Sequence, residues 1–95
     1  MNRVMNKLRI PDETAVLVRS LHPNVKRKIK AAMKIILSDS RAGKMLKDKL
    51  QGLWSYRVGK IRIVYRTAEG IIEIVAIGPR KTIYEKTLHL LKKGK

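Results

Sequence analysis

The spacing of the hydrophobic side chains changes along the chain, and each change predicts a new type of secondary structure. Within residues 3–10, Val4, Leu8 and Ile10 share one parity, although Asn6 interrupts it, and this predicts a strand. Two helices are predicted next: one begins at Pro11, and the other begins at Pro23 and carries a single apolar stripe as far as Leu37. From residue 53 the period shortens to two, which predicts three strands, at 53–58, 61–66 and 71–77. Helical spacing returns after Pro79.

These elements follow the order βααβββα and predict an α+β fold, in which an N-terminal helical hairpin packs on one face of a small antiparallel sheet. The segment 38–52 contains turn residues and several lysines, and we expect an exposed loop there with one helical turn. A chain of 95 residues is long enough for one hydrophobic core, so a single domain is expected over residues 1–95.

A two-residue turn at Gly59-Lys60 sets the expected register of the first two strands of the meander. In that register Arg57 faces Arg62, and Tyr56 faces Ile63. One face of the hairpin then forms an apolar surface for the helices to cover: Trp54, Tyr56, Val58, Ile61, Ile63 and Tyr65. The opposite face carries two arginines directly across from each other. Such a like-charge pair destabilises a sheet, which suggests that these arginines have a function.

The third strand of the meander is expected to follow a four-residue turn at 67–70. This register places Glu73 diagonal to both Arg62 and Arg66. The core face of the strand then consists of Ile72, Ile74 and Ala76. A carboxylate at position 73 partly neutralises the arginines, and this is the alternative, purely structural explanation for them. Exposed pairs of this kind contribute only about 0 to 1 kcal/mol.

The charge of the chain points to polyanionic partners. The sequence has 23 lysines and arginines against 7 acids, a formal net charge of +16. A surface this positive attracts nucleic acid or an acidic protein. The absence of cysteine removes disulfides and thiolate chemistry, and no apolar run reaches membrane-spanning length. We therefore expect a cytoplasmic protein without a membrane partner.

Positive side chains from three segments are expected to meet at one end of the sheet. The end of the last strand brings Arg80 and Lys81 beside Arg57 and Lys60. Such a cluster can hold a phosphodiester, because a planar guanidinium binds two phosphate oxygens at once. RNA supplies its own nucleophile, the 2′-hydroxyl, so its cleavage needs positioning, charge stabilisation and proton transfer, but no metal or cofactor. Tyr84 is the candidate proton carrier.

The remaining titratable side chains contribute less to this chemistry. The acids and histidines show no metal-ligand spacing, so no metal is expected. His22 precedes a helix-opening proline and His89 lies in the terminal helix, and we expect both to be structural or surface residues. Further candidates for binding nucleic acid are Lys44, Lys47, Lys49, Arg66 and Lys81. The basic face of the helix at 23–37 is either a second RNA-binding surface or an ordinary solvated face.

The second half of the chain carries a sequence pattern made of three segments and one tyrosine: 49–52 (KLQG), 56–65 (YRVGKIRIVY), 77–81 (IGPRK) and Tyr84. This set resembles the RelE/ParE family of toxins from type II toxin-antitoxin systems. The resemblance implies a microbial RNase-like RelE fold and a toxin that is made beside an acidic, RelB-like antitoxin. Its RelE branch implies metal-independent cleavage of mRNA on the ribosome, by attack of the 2′-hydroxyl.

The resemblance also implies roles for individual residues. Arg62 matches the arginine that contacts the scissile phosphate, and Arg80 matches the arginine after the last strand. Arg57 matches a basic residue on the first strand of the meander, and Tyr84 matches the terminal tyrosine. Lys60 lies in the turn between Arg57 and Arg62 and is a further candidate for proton transfer.

One position departs from the family pattern and two other functions stay open. Gly59 stands where active RelE proteins often carry a second lysine, which leaves the general base undetermined. A ParE-like toxin, similar in fold but directed against DNA gyrase, is one alternative, although the arginines and the tyrosine favour the RelE branch. A non-catalytic, basic RNA-binding domain is the other alternative, and it predicts salt-sensitive binding without toxicity.

Overall fold

The computed structural model describes residues 7–93, so residues 3–6 of the predicted first strand lie outside the described part of the chain. The strands are β1 (Lys7–Arg9), β2 (Lys44–Met45), β3 (Trp54–Val58), β4 (Ile61–Ala68) and β5 (Ile71–Pro79). The helices are α1 (Asp12–Ser20), α2 (Pro23–Ser38) and α3 (Arg80–Lys93). The predicted order is confirmed, with the short strand β2 as an addition. The predicted helical turn in the connecting loop is a 3-10 turn at Asp48–Leu50.

The strands form one sheet in the order β1-β5-β4-β3-β2. Strands β2 to β5 pair antiparallel with their neighbours, whereas β1 runs parallel to β5. The sheet is therefore mixed, and the prediction of a purely antiparallel sheet is wrong at its first strand. Because a helical crossover separates β1 from the meander, the chain can return in the parallel direction.

Proline and capping residues explain where the first two helices begin. α1 follows Pro11 and carries two acids in its first turn, where they complement the helix dipole. α2 has Pro23 at its first helical position, where a missing N–H costs no hydrogen bond. The His22 side chain caps α2 by accepting a hydrogen bond of 3.1 Å from the Asn24 backbone N–H. This confirms a structural role for His22. Within residues 7–93, no helix is long and apolar enough to cross a membrane.

The helical hairpin of α1 and α2 covers one face of the sheet. Ile63 and Tyr65 of β4 are fully buried in the same cluster as Ile29 and Ile36 of α2. The other four residues of the predicted apolar surface pack partly buried around this cluster: Trp54, Tyr56, Val58 and Ile61. The observed pairing of β3 with β4, with Tyr56 opposite Ile63, confirms the predicted register.

Helix α3 covers the opposite face, so the sheet is buried on both sides. Val64 of β4 and Ile83 of α3 are fully buried in a second cluster, together with Leu50 and Leu53. Gly78 permits this close packing, because a Cβ at that position would lie 3.3 Å from a methyl group of Ile83. The start of α3 is thereby held against the end of β5.

The turn between β4 and β5 is two residues shorter than the predicted turn at 67–70. The turn consists of Glu69 and Gly70 alone, and Gly70 has a φ of +69°, which suits a tight hairpin. A β-bulge at Val64/Tyr65 then shifts the register, so that Val64 pairs with Ala76. Ala76 consequently packs under α3 and not against the helical hairpin, contrary to the prediction.

The hydroxyl group of Tyr65 ties the loop after α2 to the sheet. It donates a hydrogen bond of 2.9 Å to the Ser40 carbonyl oxygen and accepts one of 2.9 Å from the Gly43 N–H. A Cβ at position 43 would lie 2.8 Å from the Ser55 carbonyl oxygen, so glycine is required for this close approach. The Tyr65 ring also stacks on Trp54, with centroids 6.3 Å apart. These contacts fix the point from which β2 and the following lysines begin.

We expect Tyr65→Phe to lower the free energy of unfolding by about 1 to 3 kcal/mol, because it leaves the Ser40 carbonyl and the Gly43 N–H without their partner. Urea unfolding measures the change. The matched control is Tyr56→Phe, which removes the same atom from a half-buried tyrosine on β3 and should stay within about 0.5 kcal/mol. Equal losses in both variants would contradict the role assigned to Tyr65.

The same tyrosine predicts a pH dependence of stability. Burial raises the pKa of the Tyr65 phenol above its ordinary value of 10.0, and Asp39 and Tyr56 add to the increase, while the Gly43 N–H opposes it. The unfolded chain therefore loses this proton first, and stability falls as pH rises above 10.0. We expect the difference in unfolding free energy between wild type and Tyr65→Phe to shrink over that range. If the difference in unfolding free energy stays constant with pH, the ionisation of Tyr65 does not affect stability.

Candidate nucleic-acid interface

The turn between β3 and β4 meets the start of α3 at one end of the sheet. Ile61 pairs with Pro79, and the Arg80 N–H donates a hydrogen bond of 3.1 Å to the Lys60 carbonyl oxygen. The two segments enclose a cleft of about 420 Å³. Its lining residues are Arg57, Gly59, Lys60, Pro79, Arg80 and Lys81. The predicted meeting of Arg57, Lys60, Arg80 and Lys81 is therefore observed.

The electrostatics of this cleft favour an anion. Four of its lining residues are basic and none is acidic. Arg80 and Lys81 open α3, whose first turn contains no acid. Cations at a helix N-terminus oppose the helix dipole, whereas an anion bound there is stabilised by the dipole and by the free N–H groups. Arg57 is exposed, and its Nε donates a hydrogen bond of 3.3 Å to the Gly59 carbonyl oxygen, which holds the guanidinium near the turn.

Arg62 lies directly opposite Arg57 in the sheet, as predicted. On its other side it pairs with Gly78, over which a methyl group of Ile83 packs, and the half-buried Arg62 is not among the residues that line the cleft. The alternative in which Glu73 partly neutralises both Arg62 and Arg66 holds for Arg66 and is wrong for Arg62. Because of the shifted register, Glu73 lies opposite Arg66 and forms an ion pair with it, with a distance of 2.5 Å between Arg66 Nε and the carboxylate.

Tyr84 lies one helical turn after Arg80 and faces the sheet. Its hydroxyl group donates a hydrogen bond of 3.3 Å to the hydroxyl of Ser55, a buried residue of β3. Tyr84 also lines a second pocket, of about 390 Å³, together with Lys47, Asp48, Lys49 and three leucines. The tyrosine therefore stands between the basic cleft and the lysines of the 3-10 turn.

The structure separates the other predicted residues into two groups. Lys44 is exposed on β2, beside β3, and Lys47 and Lys49 flank Asp48, which has a φ of +56°. Arg66 lies away from the cleft, near the other end of β4, where it lines a separate pocket with the start of α1 and the end of α3. Sequence reasoning missed Ser55 because a small polar residue between two aromatic strand positions gave no functional signal.

Comparison with known proteins identifies the family. A sequence model of the ParE toxin of type II toxin-antitoxin system, parDE, matches residues 8–84. The chain belongs to the ParE toxin family. No curated protein sequence is significantly similar to this ParE-family toxin.

Solved structures with the same fold include toxins of the RelE and YoeB types. The RelBE2 toxin-antitoxin complex from Mycobacterium tuberculosis is 23% identical, with a TM-score of 0.68 over 79% of this chain and 98% of that one. A mutant of E. coli RelE in the free state is 13% identical, with a TM-score of 0.73 over 94% and 96%. The YoeB-YefM complex from Staphylococcus aureus is 18% identical, with a TM-score of 0.65 over 76% and 93%. The ParE-family toxin thus has a RelE/ParE-like α+β fold.

The opposed arginines predict that one site residue reduces stability. We expect Arg62→Gln to raise the free energy of unfolding by about 0.2 to 1 kcal/mol, because it removes a like charge facing Arg57. The matched control is Arg66→Gln, which makes the same change on the same strand but breaks the exposed ion pair with Glu73. It should lower stability by about 0 to 1 kcal/mol. Urea unfolding at low salt measures both. If the two variants change stability in the same direction, the repulsion is not significant.

Proposed function

We propose that this type II toxin is a RelE-like endoribonuclease that cleaves mRNA on the ribosome in the cytoplasm. The observation that carries the proposal is the cleft, in which Arg57, Lys60, Arg80 and Lys81 converge without an acidic neighbour. A site of this composition fits a phosphodiester better than a neutral or cationic ligand, because Arg and Lys form charge-assisted hydrogen bonds to phosphate oxygens.

The proposed reaction uses the nucleophile that RNA already contains. The 2′-oxygen attacks the adjacent phosphorus, the bond between phosphorus and the 5′-oxygen breaks, and the products are a 2′,3′-cyclic phosphate and a 5′-hydroxyl. Arg62 and Arg80 stabilise the charge that develops on the phosphoryl oxygens. One group must accept the 2′ proton and another must protonate the 5′-oxygen. We assign these transfers to Tyr84 and to Lys60 or Arg57.

The position of Tyr84 supports this assignment. Its hydroxyl donates a hydrogen bond to Ser55 of the sheet, and Tyr84 follows Arg80, which lines the basic cleft, by one helical turn. A phenol hydroxyl can donate or accept a hydrogen bond, so it can be placed on the path of a proton. Lys44, Lys47, Lys49 and Lys81 are proposed to hold the ribosomal RNA or the mRNA backbone around the site. Arg66 is left out of this set, because its charge is already paired with Glu73.

The proposed partner that restrains the toxin is an acidic antitoxin. The RelBE2 complex and the archaeal RelE-RelB complex from Pyrococcus horikoshii are toxin-antitoxin assemblies with this fold. A net charge of +16 makes association with an acidic partner electrostatically favourable, both in affinity and in association rate.

Inhibition of DNA gyrase is the second candidate function, because the matching family model is that of the ParE toxin. A gyrase inhibitor has no need of a phosphodiester-cleaving cluster. Substitution of Arg80 or Tyr84 should then leave the target enzyme inhibited. The two candidates therefore differ in which macromolecular synthesis stops first.

We expect induced expression of the toxin in bacteria to stop protein synthesis before DNA synthesis, and to produce cuts in a translated message at codon-phased positions. Pulse labelling of both syntheses and primer extension measure these effects. Arg62→Ala and Tyr84→Phe should each abolish the cuts and relieve growth arrest. General acid-base contributions are worth about 10²- to 10⁴-fold in rate, so loss of Tyr84 should be visible in this assay.

The matched control is Lys86→Ala, which removes an exposed cation of α3 two residues from Tyr84, on the opposite side of the helix. It should remain as toxic as the wild type. Growth arrest with intact message and early loss of DNA synthesis would favour gyrase inhibition. Full toxicity of both site variants would overturn the assignment of Arg62 and Tyr84.

A further inference from the structure

The outer surface of α2 carries a second concentration of positive charge. Its sixteen residues, Pro23–Ser38, include five lysines and arginines and no acid. Within the part of the chain that the structure describes, none of the five takes part in an ion pair. α2 packs on the face of the sheet that buries Tyr65, whereas the basic cleft belongs to the face covered by α3. The two positive surfaces therefore lie on opposite sides of the sheet.

Three of the cations on α2 form one continuous stripe. Arg27, Lys30 and Lys34 are all exposed and are spaced three and four residues apart, so they point to the same side of the helix. At 1.5 Å per residue the stripe is about 10 Å long. Lys28 is also exposed but points about 160° away from Lys30 around the helix axis, so it lies outside the stripe. We call Arg27, Lys30 and Lys34 the α2 stripe.

We propose that the α2 stripe docks on the phosphate backbone of an RNA duplex, separately from the cleft. The choice of RNA over DNA rests on the proposed function. Duplex DNA has one phosphate per roughly 3.4 Å of axis on each strand, and the A-form RNA duplex is more compact, so a stripe of about 10 Å spans at least three phosphates of one strand. Lysines contact phosphates as flexible point charges, which suits a backbone contact that carries no sequence information.

The composition of the surface favours a nucleic acid over an acidic peptide. Peptides that dock on a helix are anchored by apolar side chains that fill a groove. The exposed large apolar residues of the described chain are Val16, Ile35 and Met45, and none belongs to the α2 stripe. Ile35 lies about 100° around the helix from Lys34. The stripe thus offers charge without an apolar anchor, which matches a phosphate backbone.

Two opposed positive surfaces give the protein a bivalent character. A single strand bound in the cleft and a duplex bound at the α2 stripe lie on different faces of one rigid sheet. Binding at one surface therefore raises the effective concentration of the other when both belong to the same RNA assembly. The stripe contributes affinity and orientation, and it takes no part in bond cleavage.

The test measures the salt dependence of binding to a fully 2′-O-methylated RNA duplex, which lacks the nucleophilic hydroxyl and cannot be cleaved. The variant combines Arg27→Gln, Lys30→Gln and Lys34→Gln, since glutamine is also a good helix former. Each phosphate contact contributes about 0.9 to the slope of log affinity against log salt, so the slope should become shallower by about 2 to 3. Between about 50 and 200 mM salt, the wild type should lose roughly 40-fold more affinity than the variant.

The matched control removes the same charge from exposed positions outside the stripe: Lys7→Gln, Arg9→Gln and Lys86→Gln. Both triple variants have a formal charge of +16 − 3 = +13. The control should change the slope by less than about 1. Equal changes in the two variants would show that the net charge acts as a diffuse field, and would overturn the proposal. Circular dichroism and urea unfolding verify that both variants are folded.

Two further probes identify the partner. On a DNA duplex of the same sequence, the stripe variant should lose a similar amount of affinity relative to the wild type, because the contacts are to phosphates. If the stripe variant loses affinity for DNA but not for RNA, the assignment to RNA is overturned. A poly-glutamate peptide should bind the stripe and control variants equally. Selective loss of poly-glutamate binding, with RNA binding unchanged, would assign the stripe to an acidic protein and overturn the proposal. None of these outcomes depends on mRNA cleavage, which the expression experiment tests independently.

Discussion

The pairing of β3 with β4 through the turn at Gly59-Lys60 is the constraint on which both the core and the site depend. Because side chains alternate along a strand, this one register sends Ile63 and Tyr65 to the helical hairpin and Arg62 to the face of α3. A slip by one residue would turn the arginines of one strand towards the helical hairpin and remove its isoleucines from the cluster that they form with α2. Burial of each large apolar side chain is worth about 1.5 to 3 kcal/mol, which exceeds the roughly 0.2 to 1 kcal/mol of repulsion between the opposed arginines. The hydrophobic core therefore holds the like charges together.

The accuracy of the sequence-based prediction followed the strength of the local pattern. The register of β3 and β4 was predicted correctly because its turn contains a glycine and its two faces differ in polarity. β5 gave no such guide. Apart from Glu73 it is apolar on both faces, since α3 covers one and the helical hairpin the other, and the irregularity in its pairing left no trace in the period. A two-residue strand such as β2 has no period at all. The Tyr65 hydroxyl bonds to groups 22 and 25 residues away, which local pattern cannot reveal.

The strength of the local sequence pattern also explains which parts of the candidate site were predicted correctly. Arg57, Lys60, Arg80 and Lys81 were predicted to meet because each follows or precedes a turn at the same end of the meander. The partner of Glu73 was predicted incorrectly because a turn two residues shorter than expected moves that carboxylate along β4 to Arg66. The correction leaves Arg62 without a neutralising acid opposite it, and the repulsion with Arg57 is then relieved only by solvent or by a bound anion. The structural explanation for the arginines is thereby weakened and the functional explanation strengthened.

Membership of a family determines the fold more firmly than the target. The matched region, residues 8–84, contains all five strands except Lys7 of β1, together with α1, α2 and the first turn of α3, and a fold of this kind does not by itself specify a function. Charges that reduce stability carry different information, because packing does not account for them. The Arg57–Arg62 pair and the cations at the start of α3 both oppose local electrostatics of the folded chain. An anion bound near these cations would offset both effects, because each cation would then face an opposite charge.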